Sequence, residues 1–174
     1  QRLGLVTIAT VLQCSGNGRR FFEHGPSGSP WTVGAAGCAM WSGVPLRAVA
    51  EHLGGHVAGA RFLTATGGEP IPADVERDDV VVERSIPIEK ALEDSLLAWE
   101  LNGEPIPLAH GGPLRLIVPG YYGVNQVKFV KQVAFTEQPT SAKIHATGYR
   151  MRPIGERGST EQATMWEMGP KSFI

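Results

Sequence analysis

Apolar positions along the chain fall into short runs separated by glycine and proline, and each run predicts one element. Leu3 to Leu12 is largely Val, Ile, Leu, Thr and Ala, and reads as a buried β-strand ending at a glycine loop. Phe21 to Ser29 carries polar residues, glycine and proline, and reads as a loop. The clearest helix starts at Pro45: Leu46, Val49 and Leu53 share one face, proline suits the first turn, and Gly54-Gly55 stops it. Ala60 to Thr66 predicts a strand, then a polar loop from Gly67 to Asp79 and a short strand at Val80 to Glu83. Pro87 to Asp94 predicts one or two helical turns, and Leu96 to Leu101 a strand that Asn102-Gly103 turns into a hairpin. Leu114 to Val118 and Val127 to Phe135 add two strands on either side of Pro119-Gly120; from Gln138 to Pro170 the patterning fades into loop. With no repeat or linker, the expected class is α+β with a mixed sheet, in a single domain over residues 1–174.

Composition narrows the function more than the fold. A chain of 174 residues buries a sizeable core, and 42% hydrophobic with 19% charged residues reads as soluble and globular. A net charge of −1 gives no global pull toward nucleic acid or a membrane surface. No apolar stretch reaches bilayer-spanning length and no signal peptide is evident, although Gln1 is not a natural start and the chain reads as processed or trimmed. Neither a zinc-type CxxC or HExxH spacing nor a Walker loop occurs, and Gly16-Asn-Gly18 lacks the third glycine of a dinucleotide fingerprint.

Chemistry concentrates after the first strand, in Gln13-Cys14-Ser-Gly-Asn-Gly-Arg19-Arg20. A strand end that presents a thiol beside fixed positive charge favours thiolate, the form that attacks electrophiles or binds soft metals. The residues alone also admit a buried structural cysteine, a pairing of Cys14 with Cys38, or a nucleophilic thiol with His24 as the base nearest in sequence.

This stretch resembles the cysteine loop of the sulfite oxidase family of molybdenum enzymes. Two later stretches match that family in order and spacing: Pro30-Trp31 through Ala39-Met-Trp41-Ser-Gly-Val-Pro-Leu46, and His110-Gly-Gly-Pro-Leu-Arg115 through Val127-Lys128-Phe129. The resemblance implies a sulfite-oxidase-type molybdopterin-binding domain whose cofactor is a molybdenum pyranopterin dithiolene. Cys14 then supplies the single protein ligand to molybdenum, which suits a soft oxo-transferring metal with an open substrate position. Arg19, Trp31 and Tyr149 match substrate-pocket positions. A guanidinium gives an oxyanion paired donors, and a phenol donates a hydrogen bond or relays a proton. Arg20 competes with Arg19 for that role, and Trp41 reads as core. His110, Arg115 and Lys128 match positions holding the pterin and its phosphate, with Gln126 and Val127 lining the cofactor through backbone groups.

The implied reaction is oxidation of sulfite, or a related sulfur oxyanion, to sulfate by oxygen-atom transfer, with a separate haem protein or cytochrome c as electron acceptor. Sulfur dehydrogenase, nitrate reductase, sulfoxide reductase and a non-catalytic cofactor-binding remnant are the alternatives. The family-level compartment is the periplasm. The family also carries an acid after the Ala60–Thr66 strand, for which Glu69 or Asp74 would stand in. N-terminal cofactor contacts and a C-terminal dimerisation domain have no counterpart here. The chain therefore reads as truncated at both ends, with a homodimer expected of a full-length form.

Overall fold

The computed structural model describes residues 3–172. In chain order its first half runs β1 (Val6–Gln13), β2 (Ala36–Pro45), α1 (Leu46–His52), β3 (Phe62–Gly67) and α2 (Arg77–Val80). The second half runs β4 (Glu83–Pro87), α3 (Ile88–Glu93), β5 (Leu96–Leu101), β6 (Glu104–Pro105), β7 (Arg115–Ile117) and β8 (Val130–Thr136). The α+β class is as expected, but the strands form two sheets rather than one mixed sheet. One follows β1-β2-β5-β6 with β7 also on β5, the other β4-β3-β8. Every ladder among the described residues is antiparallel.

Two apolar clusters hold these sheets, and β7 serves both. Leu116 joins Leu46, Leu63, Ala65, Ile86 and Val127, whereas the next residue, Ile117, joins Trp41, Leu96, Ala98 and Ile106. Successive side chains of a strand point to opposite faces, so a strand buried on both sides can knit two cores together. That places Arg115, the first residue of β7, at the seam. α1 and α3 each begin directly after a proline that ends a strand, Pro45 and Pro87, whose missing N–H costs nothing in a first turn. The β5–β6 hairpin turns at Asn102-Gly103, both at positive φ (53° and 85°), as that dipeptide requires.

Four expectations change. β1 is not a buried strand: it pairs only with β2, packs Ile8 and Leu12 inward, and leaves Val6, Val11 and the neighbouring Met40 exposed. Val80 to Glu83 is not a strand. Arg77–Val80 makes a helical turn with Asp78 and Asp79 at its positive end, and pairing starts only at Glu83, opposite Thr66. On α1 the buried residues are Leu46 and Ala50, while Leu53 lies out in solvent. The last strand begins at Val130 because Phe129 takes a positive φ of 52°, which turns the chain after Lys128. β2, the strand between β1 and β5, was not anticipated, since Ala36-Gly-Cys-Ala lacks the branched residues that mark strands.

Candidate functional site

β1 ends by delivering Cys14 into a loop held in place from both directions. Cys14 N–H donates to Ala35 O (2.9 Å), Gly18 N–H to Thr32 O (2.7 Å) and Arg20 N–H to Trp31 O (3.0 Å). The Asn17 side chain accepts from Ala35 N–H at 3.0 Å. Within the loop, Gly16 N–H donates to Cys14 Sγ at 3.4 Å. The guanidinium of Arg19 lies between Gly16 and Gly28, where a Cβ on either glycine would collide with it. Its Nη1 donates to Ser29 O at 3.0 Å. Arg20 is exposed, whereas Arg19 is half-buried.

A cavity of about 930 Å³ opens beside this loop. One wall is the loop itself with Phe21, Phe22, His24 and Pro26. The other comes from Tyr122 and from the far end of the chain, with Met165, Pro170, Lys171 and Ser172. Arg19, His24 and Lys171 line it, and no carboxylate does among the described residues. Lys171 Nζ donates to Ser15 O (3.1 Å) and Asn17 O (2.9 Å), and sits over the Tyr122 ring at 5.8 Å.

A second cluster gathers around Arg115, which is only 6% exposed. Its Nη1 donates to His110 O (2.8 Å), its Nε to Gln126 O (3.3 Å), and its guanidinium lies over Trp41 at 5.2 Å. Burial pulls Arg115 down to about 10, which leaves it charged at neutral pH. Lys128 Nζ donates to Ala109 O at 2.9 Å. Burial lowers this ammonium first, the neighbouring Arg115 charge lowers it further, and Glu69 opposes both. His110, Arg115, Gln126 and Lys128 therefore converge as expected, and Glu69 lies within reach of their charge. The carbonyls of Gln126 and Val127 accept from Arg115 Nε and from Leu116 N–H, and the Val127 side chain belongs to the core.

The remaining two candidates stand apart. Trp31 is 46% exposed, and neither it nor Tyr149 lines the cavity. Tyr149 instead stacks on Arg84 at 5.7 Å. Arg84 is fully buried; Nε and Nη2 donate to Asn125 Oδ1 (3.1 and 2.8 Å) and Nη1 to Ile144 O (2.7 Å). The Asn125 amide in turn donates to Tyr122 O, Met165 O and Trp166 O, tying the loop before Lys128 to the tail. Sequence reasoning gave no site role to Arg84, Tyr122 or Lys171, whose partners lie far away in sequence.

The residues present fit a polar, phosphorylated cofactor bound between Cys14 and Arg115. Three buried polar atoms around that path lack a partner: Gln13 Nε2, Trp41 Nε1 and Gln126 Oε1. Unpaired buried groups are costly, and a heterocycle with donors and acceptors on its edge would satisfy them. The two loops abut, since a Cβ on Gly123 would lie 3.4 Å from Gln13 O. The described residues hold no group of three or more His, Cys, Asp or Glu able to bind a metal.

Comparison with known proteins gives a concordant result. A family model described as an oxidoreductase molybdopterin-binding domain matches residues 1–144. Inducible nitrate reductase (NADH) 1 of Glycine max is 32% identical over 171 residues, covering 94% of this chain and 19% of that protein. Sulfite oxidase of Gallus gallus is 32% identical over 156 residues, covering 82% of this chain and 32% of that protein. The crystal structure of the sulfane dehydrogenase SoxCD from Paracoccus pantotrophus superposes with a TM-score of 0.74 at 28% identity, covering 96% of this chain and 40% of that one. The chain thus spans well under half the length of the relatives it matches.

Proposed function

Because this chain belongs to the family of oxidoreductase molybdopterin-binding domains, whose cofactor is molybdenum-molybdopterin, we propose that it forms the cofactor-holding part of an oxidoreductase acting on sulfite or a related sulfur oxyanion. The observation that carries this reading is one loop that bears both Cys14 and Arg19, with Arg19 facing a cavity that Lys171 and His24 also line and that has no carboxylate among its described lining residues. The bound cofactor would supply two-electron oxygen-atom-transfer chemistry. The chain's own residues bind, orient and stabilise charge.

Cys14 is the protein ligand, its thiolate supported by Gly16 N–H. Arg115 and Lys128 form the cationic seat of the cofactor's phosphate, because two neighbouring cations without an acid hydrogen-bonded to either call for an anion. Exposed His110 and the unpartnered Gln126 Oε1 and Gln13 Nε2 address the pterin edge. Arg19 holds the substrate oxyanion; its glycine slot fixes the guanidinium before any anion arrives, which lowers the ordering cost of binding. Trp31 and Tyr149 are assigned to the pocket wall and to proton donation. They have less geometric support than Arg19.

Nitrate reduction is a second reading, favoured by the nitrate reductases matched over nearly the whole chain. Both readings need a cationic pocket for a small oxyanion. A haem protein is the proposed electron partner for sulfite oxidation.

Metal content by mass spectrometry on wild-type and Cys14→Ser protein tests the core of this assignment. The expected result is about one molybdenum per chain, lost in the variant. Sulfite-dependent reduction of cytochrome c should then accompany the metal. Wild-type protein made with cofactor available yet free of molybdenum would sink the reading, and turnover of nitrate without sulfite would select the second.

A further inference from the structure

Lys171 stands just beyond the stretch whose patterning fades into loop, yet its ammonium reaches the main chain of the cysteine loop. Two of its three N–H groups are spent on Ser15 O and Asn17 O, the carbonyls that flank Gly16. The third donor and the charge remain, on the wall of the cavity that Arg19 also lines. The Tyr122 ring beneath it and the Gly169 N–H bond to Tyr122 Oη hold the segment against that wall.

We propose that Lys171 is the second anion-holding cation of the pocket, so that a tetrahedral or trigonal oxyanion is gripped between the fixed guanidinium of Arg19 and the ammonium of Lys171. This deepens the functional reading above and rests on it for the identity of the anion. The division of labour follows from the two side chains. Arg19 lies against Gly16 and Gly28, bonds Ser29 O through Nη1, and offers planar, directional donors. Lys171 is a compact point charge on a flexible stem, able to follow an oxyanion as its geometry changes between substrate and product. The electrostatics agree with the placement. Burial lowers the Lys171 ammonium, a charge on Cys14 counters that loss, and Arg19 adds to it, so the three groups feel one another across the loop. An anion between the two cations removes their mutual repulsion, which neither has a carboxylate to offset among the cavity's described lining residues.

The test is sulfate binding by calorimetry on the purified chain, with and without cofactor, for wild type, Lys171→Met, Lys171→Arg and Arg20→Met. Sulfate is a stable oxyanion and its binding needs no turnover. Loss of one charge-assisted contact should weaken sulfate about tenfold in Lys171→Met. Lys171→Arg should recover to within about threefold, exposed Arg20→Met should match wild type, and molybdenum per chain should stay constant throughout. Unchanged sulfate affinity in Lys171→Met would overturn the proposal. So would loss of molybdenum together with sulfate in that variant, since Lys171 would then be only a tether for the cysteine loop. Wild-type protein that binds sulfate through Lys171 but never holds molybdenum would refute the oxidoreductase reading while leaving the cation pair intact.

Discussion

Arg84 and Arg115 are both buried guanidiniums, each pulled down to about 10 by burial and each without an acid among the described residues, yet their surroundings differ in kind. Arg84 has all three nitrogens bonded, to Asn125 Oδ1 and Ile144 O, and a tyrosine ring against it. Arg115 spends Nε and Nη1 on carbonyls and lies over the Trp41 ring. Each has a second cation nearby, Arg150 for Arg84 and Lys128 for Arg115, and neighbours with unpartnered buried atoms. A buried cation that is fully hydrogen-bonded stabilises a fold by organising segments. A buried cation with donors left over has capacity to hold a further acceptor. Burial and a lowered pKa are shared by the two, so only the completeness of the hydrogen bonding separates a structural arginine from a ligand-holding one.

The sharpest way to break that comparison is Arg84→Met. It strips the partner from Asn125 Oδ1 and Ile144 O, and should cost about 3 kcal/mol or more, read as a fall of about 10 °C in Tm. Cofactor loss with an unchanged Tm would show that Arg84 serves the ligand after all. Arg115→Met should do the reverse. Tm should fall by less than about 4 °C while retained molybdenum and pterin drop about tenfold after equal dialysis, and a collapse in Tm would erase the distinction.

His145 sharpens the picture at smaller scale. It is buried beside Arg84 and Arg150, and burial first, then those two charges, push its imidazole down to about 3. The unfolded chain binds a proton near the ordinary value of 6.5 that the folded chain refuses until about 3. Stability contributed by neutral His145 is therefore complete above that ordinary value and drains away as pH falls toward the folded one. His145→Gln should flatten the dependence of Tm on pH across that window, measured as the difference from wild type. Parallel curves would mean that the imidazole is not enclosed by the two guanidiniums.

The parts legible in the sequence are those whose signals are local. The hairpin at Asn102-Gly103, the helix after Pro45 and the cysteine loop each declare themselves within a few residues. β2 was invisible because its small residues fill space between two neighbours rather than forming an apolar run of their own. The burial of β1 was misread for the opposite reason: its residues are apolar on both sides, but only one side has a neighbour. At the site, family spacing singles out His110, Arg115, Gln126 and Lys128, and the structure places the four close together. Arg84 and Lys171 were not so singled out, since nothing in their immediate sequence reveals which distant carbonyls they will meet.

Those carbonyls set a schedule as well as a shape. The bond from Lys171 to Ser15 joins positions 156 residues apart, so the cysteine loop leaves the ribosome well before the cation that braces it. Bringing such distant positions together costs loop-closure entropy. The wall carrying Lys171 therefore closes over a loop whose nearer contacts, to Thr32 and Ala35, can already be made.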